Sequence, residues 1–260
     1  MKYFICTRDD VNSKKIADKL HLSLEKHGFI EDEESPELVI SLGGDGTFLR
    51  AIHKYIDILD NIHFVGMHTG KLGFFCEFTR NEVQELIDSL INGTPTVVEH
   101  KLLEIKYKKQ VYYGINEVRV ENPFNTMICN VYIDGNLLEN FRGNGLNFST
   151  SIGSSAYNRS LGGPLIIPSS ERIIMGEVAS INHNAYRSLN SFLVLDENNV
   201  ITLRGKFKRC LIGYDHMFVN LDSEKITDEI KVKLSNKKIR LFHYKNVNYF
   251  YRLRKAFVAD

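Results

Sequence analysis

Gly43-Gly44-Asp45-Gly46-Thr47 follows directly on the apolar run Leu38-Val39-Ile40-Ser41-Leu42 and leads into a helical pattern through Leu49, Ile52 and Ile56. A chain that passes from a short apolar strand through glycines into a helix is committed locally to an α/β arrangement. Glycines let successive backbone N–H groups face one way without Cβ interference, and a helix start carries partial positive charge. Such a turn can hold a phosphate. Asp45 stands against that, because a carboxylate repels phosphate. It makes sense if it handles a proton or helps to hold a cation. A plain strand-to-helix turn with Asp45 as a cap also accounts for these residues, so the motif alone leaves both readings open.

The surroundings extend the α/β reading. Residues 3–7 read as a buried strand, and Ser13 as the cap of a helix with Ile16, Ala17, Leu20 and Leu24 on one face, stopped at Gly28. The acidic run 31–34 ahead of Pro36 reads as a solvated loop, and residues 62–67 as another strand. Thr79-x-x-Glu82 forms a capping-box pattern ahead of Val83, Leu86, Ile87, Leu90 and Ile91. Strand and helix in alternation predict a parallel sheet with flanking helices. The pattern changes at Gly93-Thr94-Pro95, after which short runs of Val, Ile, Tyr and Phe are separated by turn pairs such as Asp134-Gly135. The fold class expected is an α/β N-terminal domain with a parallel sheet plus a β-rich C-terminal domain. The boundaries are residues 1–97 and 98–244, with residues 245–260, including a helix-compatible stretch, packing back on the first domain.

Charge narrows the function. With 33 Lys+Arg against 32 Asp+Glu the formal charge is +1, which removes the electrostatic case for nonspecific nucleic-acid or membrane-surface binding. Any anion must be held by a local device. No run approaches the roughly 18 apolar residues of a membrane span, and the apolar start Met1-Lys2-Tyr3-Phe4-Ile5-Cys6 is too short for a signal peptide. Cys6, Cys76, Cys129 and Cys210 form no CxxC pair, so reduced thiols and a cytoplasmic location are expected. The nine histidines show no H-E-x-x-H spacing, and Gly153-Ser154-Ser155 lacks the G-x-S-x-G frame of a hydrolase nucleophile.

The Gly43–Thr47 turn resembles the phosphate-donor loop of a kinase superfamily that contains NAD kinases, diacylglycerol-type lipid kinases and 6-phosphofructokinases. Three further segments separate these. His68-Thr69-Gly70-Lys71-Leu72-Gly73-Phe74 resembles the N-T/H-G-x-L-G-F segment of NAD kinases. Ile115-Asn116-Glu117-Val118 is similar to their L-N-E/D motif. Residues 145–157, continuing through Ser160-Leu161-Gly162-Gly163-Pro164, are similar to their D-G-x-x-x-S-T-P-T-G-S-T-A-Y stretch. Four segments in order, over most of the chain, are far more specific than one, and the sequence is identified as a member of the NAD kinase family. It departs from the pattern at Asn144, where the family has Asp, at Ser151 and Ile152 in the T-P-T portion, and at Ser155, which replaces Thr. Residues 149–157 are too polar for a strand core on their own reading.

The resemblance implies transfer of the γ-phosphoryl of ATP to the 2′-hydroxyl of the adenosine ribose of NAD, giving NADP. Asp45 would orient that hydroxyl and take its proton, late in a loose transition state where positioning dominates. Gly43, Gly44, Gly46 and Thr47 would cradle the donor phosphates with Mg²⁺, for which no protein ligand is firmly assigned. NAD-binding positions carried over are Asp45, Gly46, Phe74, Asn116, Glu117, Ser155, Ala156, Tyr157, Asn158, Arg159 and Ser160, with Arg142, Asn144, Ala179 and Ile181 weaker. Asn116 suits an adenine edge and Glu117 the ribose hydroxyls. Asp215-His216 resembles a late element lining the same site, and equally reads as a β-turn. A homodimer or homotetramer is implied. Two alternatives stay open: a lipid kinase using the same turn on a diacylglycerol-like alcohol, and a noncatalytic NAD- or NADP-binding sensor.

Overall fold

The Leu38–Leu42 strand is buried at every position, as befits the middle of a parallel sheet covered on both faces. In the computed structural model, which describes every residue except Lys71, Leu72, Glu224, Val247, Ala259 and Asp260, it pairs in parallel with Lys2–Thr7 and His63–His68. Ile30–Glu31 adds to the outer edge of Lys2–Thr7, and Phe78–Thr79 pairs with Met67 and His68. Arg240 and Leu241, near the end of the strand Asp228–His243, pair in parallel with His63 and Phe64. These strands belong to one of two compact units, residues 1–99 with 237–260. Its helices are Val11–Lys26, Asp45–Lys54, Val83–Asn92 and Tyr249–Phe257. Leu20 and Leu24 of the first and Leu86, Ile87 and Leu90 of the third share one buried cluster with Tyr3, Leu38, Ile40, Leu42, Val65 and Met67.

Three local expectations are corrected here. The first helix is capped by Asp10, not Ser13: Asp10 has extended backbone, and its carboxylate accepts from the N–H groups of Asn12 and Ser13, each at 3.0 Å. An ionised acceptor placed before the helix outcompetes a hydroxyl inside it. Ser13 is buried and donates to Asp10 at 2.8 Å. Part of the acidic run is strand, Ile30–Glu31, because Lys2–Thr7 offers it a free edge. At Thr79-x-x-Glu82 half of the box forms: Thr79 N donates to Glu82 Oε2 at 2.7 Å, but the helix starts at Val83 with no side-chain cap. Gly28 ends its helix in the left-handed region at φ 81°, with Phe29 N reaching back to the Leu24 carbonyl.

Residues 100–236 form the second unit. One of its sheets runs Leu193–Asp196, Arg172–Val178, Gly145–Thr150, Glu117–Glu121, Cys210–Tyr214, Met217–Leu221, antiparallel throughout. A second antiparallel set runs Asn136–Gly143, Met127–Ile133, Ile201–Gly205 and the first part of Asp228–His243. Alternate residues of both point into a shared core that includes Val118, Val120, Leu146, Phe148, Val131, Phe141, Leu203 and Ile230. Asp134 and Gly135 both take positive φ, 49° and 82°, as a tight hairpin between right-twisted strands demands. A register shift between Leu137 and Glu139 turns Glu139 inward, where it is 9% exposed. The reading of residues 149–157 as too polar for a strand core is corrected for its first two: Ser149 and Thr150 end the wholly buried strand Gly145–Thr150, because Ser149 accepts from Asn147 and Thr150 donates to the Ile115 carbonyl, while residues 151–157 lie outside it. The four cysteines are free thiols, and no helix among the described residues is long and apolar enough to cross a membrane.

Candidate active site

At the end of the Leu38–Leu42 strand, Gly43 N donates to the Met67 carbonyl at 3.0 Å and the chain turns into the helix Asp45–Lys54. Gly44 is the N-cap and supplies no side-chain bond; Thr47 N and Phe48 N both bond to its carbonyl, at 2.9 and 3.1 Å, and the N–H groups of Asp45 and Gly46 at the helix start have no intrahelical acceptor. A Cβ on Gly43 would lie 2.2 Å from Thr47 Oγ1, whereas one on Gly44 or Gly46 would meet nothing within 4 Å. The first glycine is thus required by the fold, and the other two leave open space beside donor groups and the positive helix end. Thr47 is buried, and its hydroxyl accepts from Arg50 at 3.2 Å.

Asp45 does not cap its helix. Its carboxylate accepts from Phe74 N at 2.9 Å and Phe75 N at 3.2 Å, which brings two sequence-distant motifs together. Gly73 makes this possible, since a Cβ there would stand 2.1 Å from Asp45 Oδ1. Upstream, His68 Nδ1 lies 3.0 Å from the Gly70 carbonyl, and Thr69 Oγ1 lies 3.1 Å from Ser13 Oγ. Lys71 and Leu72 of this motif lie outside the described residues. Phe74 is half-buried, with its ring 5.6 Å from that of Phe257 and 6.3 Å from that of Tyr249. Its carbonyl accepts from Arg252. Beneath, burial pushes the Cys76 thiol up, and the Asp45 charge adds to this.

In the second unit Asp215 organises the Asn116 segment. It sits in the hairpin turn after Cys210–Tyr214 at φ 49°, so the β-turn reading of Asp215-His216 is correct as local geometry. Its buried carboxylate accepts from Ile115 N and Asn116 N at 2.8 Å and from Glu117 N at 3.3 Å. Its own N–H donates to the Glu117 carbonyl at 3.1 Å. From the other side, Thr150 N donates to the Asn116 carbonyl at 3.0 Å, and Gly153 packs so close that a Cβ would fall 1.9 Å from that oxygen. The Asn116 backbone is therefore fixed on both sides. Glu117 is 7% exposed, and burial first and the Asp215 charge second push its carboxyl up to about 7, against the pull of Arg119. The backbone N–H of Tyr157 bonds to it, and the Tyr157 ring lies 4.9 Å under the Arg119 guanidinium.

The remaining sequence-predicted residues of this unit fall in two places. Ser155, Ala156 and Tyr157 are half-buried, in and after the 3-10 turn Ile152–Ser155, whose Gly153 packs on Asn116. Asn158 is buried and donates to the Ser154 and Pro164 carbonyls, while Arg159 and Ser160 are exposed. Arg142, Asn144, Ala179 and Ile181 form a separate set: Ile181 N donates to the Arg142 carbonyl at 2.8 Å, Asn144 N to that of Val178 at 2.9 Å, and Ala179 has φ 47°. Arg142 stacks 4.1 Å over Tyr186, and Asn144 is exposed, as is His216. Arg119, Glu121 and Arg252 were not singled out by sequence. Arg119 and Glu121 sit at alternate positions on the Glu117 strand, a signal that could have found them, whereas nothing local marks Arg252.

Comparison with known proteins bears on the family. Residues 5–94 match the family model of the ATP-NAD kinase N-terminal domain, and residues 115–244 that of the ATP-NAD kinase C-terminal domain. The chain is 39% identical over 267 residues to NAD kinase 1 of Bacillus cereus (strain ZK / E33L), covering 100% of each. It is 34% identical over 265 residues to the NAD kinase of Leuconostoc mesenteroides, covering 100% of this chain and 99% of that one. Two solved structures share the fold: yeast NADH kinase complexed with NADH, and an NAD kinase from Archaeoglobus fulgidus in complex with ATP. The first has a TM-score of 0.82 at 18% identity, over 100% of this chain and 89% of that one. The second has 0.78 at 21% identity, over 98% and 99%. Full-length identity above 30% and both domain models place the chain, plainly, in the ATP-NAD kinase family.

Proposed function

We propose that the protein is an NAD kinase that moves the γ-phosphoryl of ATP onto the 2′-hydroxyl of the adenosine ribose of NAD, making NADP. The observation that carries the chemistry is Asp45: a carboxylate at a helix start, beside open glycine N–H groups, held by the amides of Phe74 and Phe75. Phosphoryl transfer passes through a loose transition state, so the protein's contribution is orientation and charge placement. Gly43, Gly44, Gly46 and Thr47 receive the donor phosphates. Asp45 orients the ribose hydroxyl. The O2′–P bond forms as the bond to the β-phosphate oxygen breaks, and the hydroxyl proton passes to Asp45 Oδ. Asn116 and Glu117 hold the adenosine, with Ser155, Ala156, Tyr157 and Ser160 beside it and Asn158 and Arg159 in the same run. Phe74, Arg142, Asn144, Ala179 and Ile181 complete the dinucleotide contacts, and Asp215 holds the Asn116 turn in shape.

Mg²⁺ fits as the chelate of ATP. Among the described residues no group of three or more His, Cys, Asp or Glu side chains could hold a metal, and both Asp45 oxygens already accept backbone N–H bonds. Mg²⁺ binds through substrate phosphates, water and at most one or two carboxylates, which suits this donor set. When bound it neutralises charge on the β- and γ-phosphate oxygens. The protein works in the cytoplasm as a homodimer or homotetramer on small soluble substrates, without nucleic acid or membrane; sedimentation at micromolar concentration that shows monomer alone refutes the assembly.

The test is NADP formation from NAD and ATP with Mg²⁺, for wild type and Asp45→Asn. Wild type turns over, and the variant loses about 10²-fold or more in kcat, the usual range for a positioned proton acceptor. An inert wild type that still binds NAD favours a sensor, and activity on diacylglycerol vesicles instead favours a lipid kinase. A fully active Asp45→Asn removes the role given to the carboxylate.

A further inference from the structure

The Tyr249–Phe257 helix carries a buried arginine, Arg252, only 4% exposed, and a guanidinium is rarely so placed without a partner. Its Nη1 donates to the Phe74 carbonyl. That carbonyl and the N–H of Phe75 belong to one peptide group, which is planar, so fixing the oxygen fixes the direction of the N–H. On its other side the same peptide donates to Asp45 Oδ1 at 3.2 Å, while Phe74 N donates to Oδ2 at 2.9 Å. A chain of hydrogen bonds therefore runs from the guanidinium through a single peptide to the carboxylate, each bond polarising the next. The same helix flanks Phe74 with two rings, Phe257 and Tyr249.

Packing alone does not explain Arg252. Its Nη2 is buried without a hydrogen-bond partner among the described residues, so a long apolar side chain would be the more stable filler. Glu77, itself buried and held by His243 and Tyr244 N, and Asp45 are the carboxylates whose charge acts on the guanidinium. We propose that Arg252 is a positioning residue for phosphoryl transfer, setting the Asp45 carboxylate by clamping the Phe74–Phe75 peptide from the C-terminal helix. The proposal rests on the role given to Asp45 above.

The experiment uses the full chain with Arg252→Met, Arg252→Lys and Phe257→Ala. Steady-state NADP formation is measured together with amide hydrogen exchange at Phe74 and Phe75. For Arg252→Met, kcat falls about tenfold or more, because a misdirected Asp45 loses near-attack geometry, while KM for NAD and ATP stays within about twofold. Exchange at the two amides speeds by a similar factor, with the Leu38–Leu42 amides unchanged. Arg252→Lys, which keeps a donor on the carbonyl, recovers kcat to within about threefold of wild type. Phe257→Ala loosens the helix but keeps the clamp, so it changes kcat less than Arg252→Met does; it and the lysine variant carry the test if Arg252→Met does not fold. Wild-type kcat in Arg252→Met, or unchanged exchange at Phe74 and Phe75, overturns the proposal. So does a loss shared by all three variants in proportion to unfolded protein. An inert wild type instead overturns the proposed activity, and the exchange result then decides the clamp on its own.

Discussion

Gly73→Ala tests whether the placement of Asp45 decides the rate. Gly73 lies outside the left-handed region, so alanine brings no backbone strain. The new Cβ would stand 2.1 Å from Oδ1, 2.5 Å from Cγ and 2.7 Å from Oδ2 of Asp45. Reaching ordinary contact at 3.4 Å requires the carboxylate to retreat by about 1.3 Å. The group that must move is the far end of a side chain, so the fold yields cheaply. What is lost is the pair of bonds from Phe74 N and Phe75 N, charge-assisted bonds of about 1.5–3 kcal/mol each when nothing replaces them. Asp45 is half-exposed and water replaces much of this, leaving a stability loss of about 1–2 kcal/mol and a Tm fall of roughly 2–6 °C. A displacement of about 1 Å in a reacting group costs on the order of 10² in rate. The assay is NADP formation beside a thermal melt, so that the fold and the rate are read separately. If Gly73→Ala melts as expected yet keeps kcat within about threefold, the carboxylate's placement is irrelevant to the chemistry and the argument fails.

Two further perturbations address the second unit. Asp215→Ala strips the acceptor from the N–H groups of Ile115, Asn116 and Glu117, and should cost about 3–5 kcal/mol in urea unfolding while raising KM for NAD more than it lowers kcat; a change below about 1 kcal/mol would contradict the role given to this carboxylate. Glu139 and Glu177 converge on Leu189 N, each at 3.1 Å, and burial first, then the hydrogen bond to Glu177, pushes the Glu139 carboxyl up to about 7. A folded-state pKa raised above that of the unfolded chain means the native state holds the extra proton, so this contribution is full in acid below the ordinary carboxyl range and is lost as pH rises through about 7. Glu139→Gln should remove that slope and gain on the order of 2 kcal/mol at pH 8 relative to wild type. Parallel pH–stability curves for the two proteins would show that no proton is shared there.

Much of the fold is legible from short-range pattern. The Leu38–Leu42 run, the glycines after it and the apolar face of Leu20 and Leu24 identify strand, turn and helix, because each depends on residues within a turn or two. Where two nearby residues compete, local pattern misleads. Asp10 and Ser13 can both cap, and the choice fell to the one whose backbone is extended. Ser149 and Thr150 open a stretch that reads as too polar for a strand core, yet they end the buried strand Gly145–Thr150, where Thr150 donates to the Ile115 carbonyl, a partner that exists once the strands are assembled.

The sequence by itself determined which residue types could bind a nucleotide phosphate and in what order they occur. It determined that any anion would have to be held by a local device rather than by net charge. Only the tertiary structure decided how those residues are used. That Asp45 is held by the amides of Phe74 and Phe75, that Asp215 shapes the Asn116 turn, and that Arg252 clamps the Phe74 carbonyl all join residues far apart along the chain. A carboxylate or guanidinium takes whichever donors or acceptors the packed backbone brings within about 3 Å, and spacing along a chain carries no information about that distance.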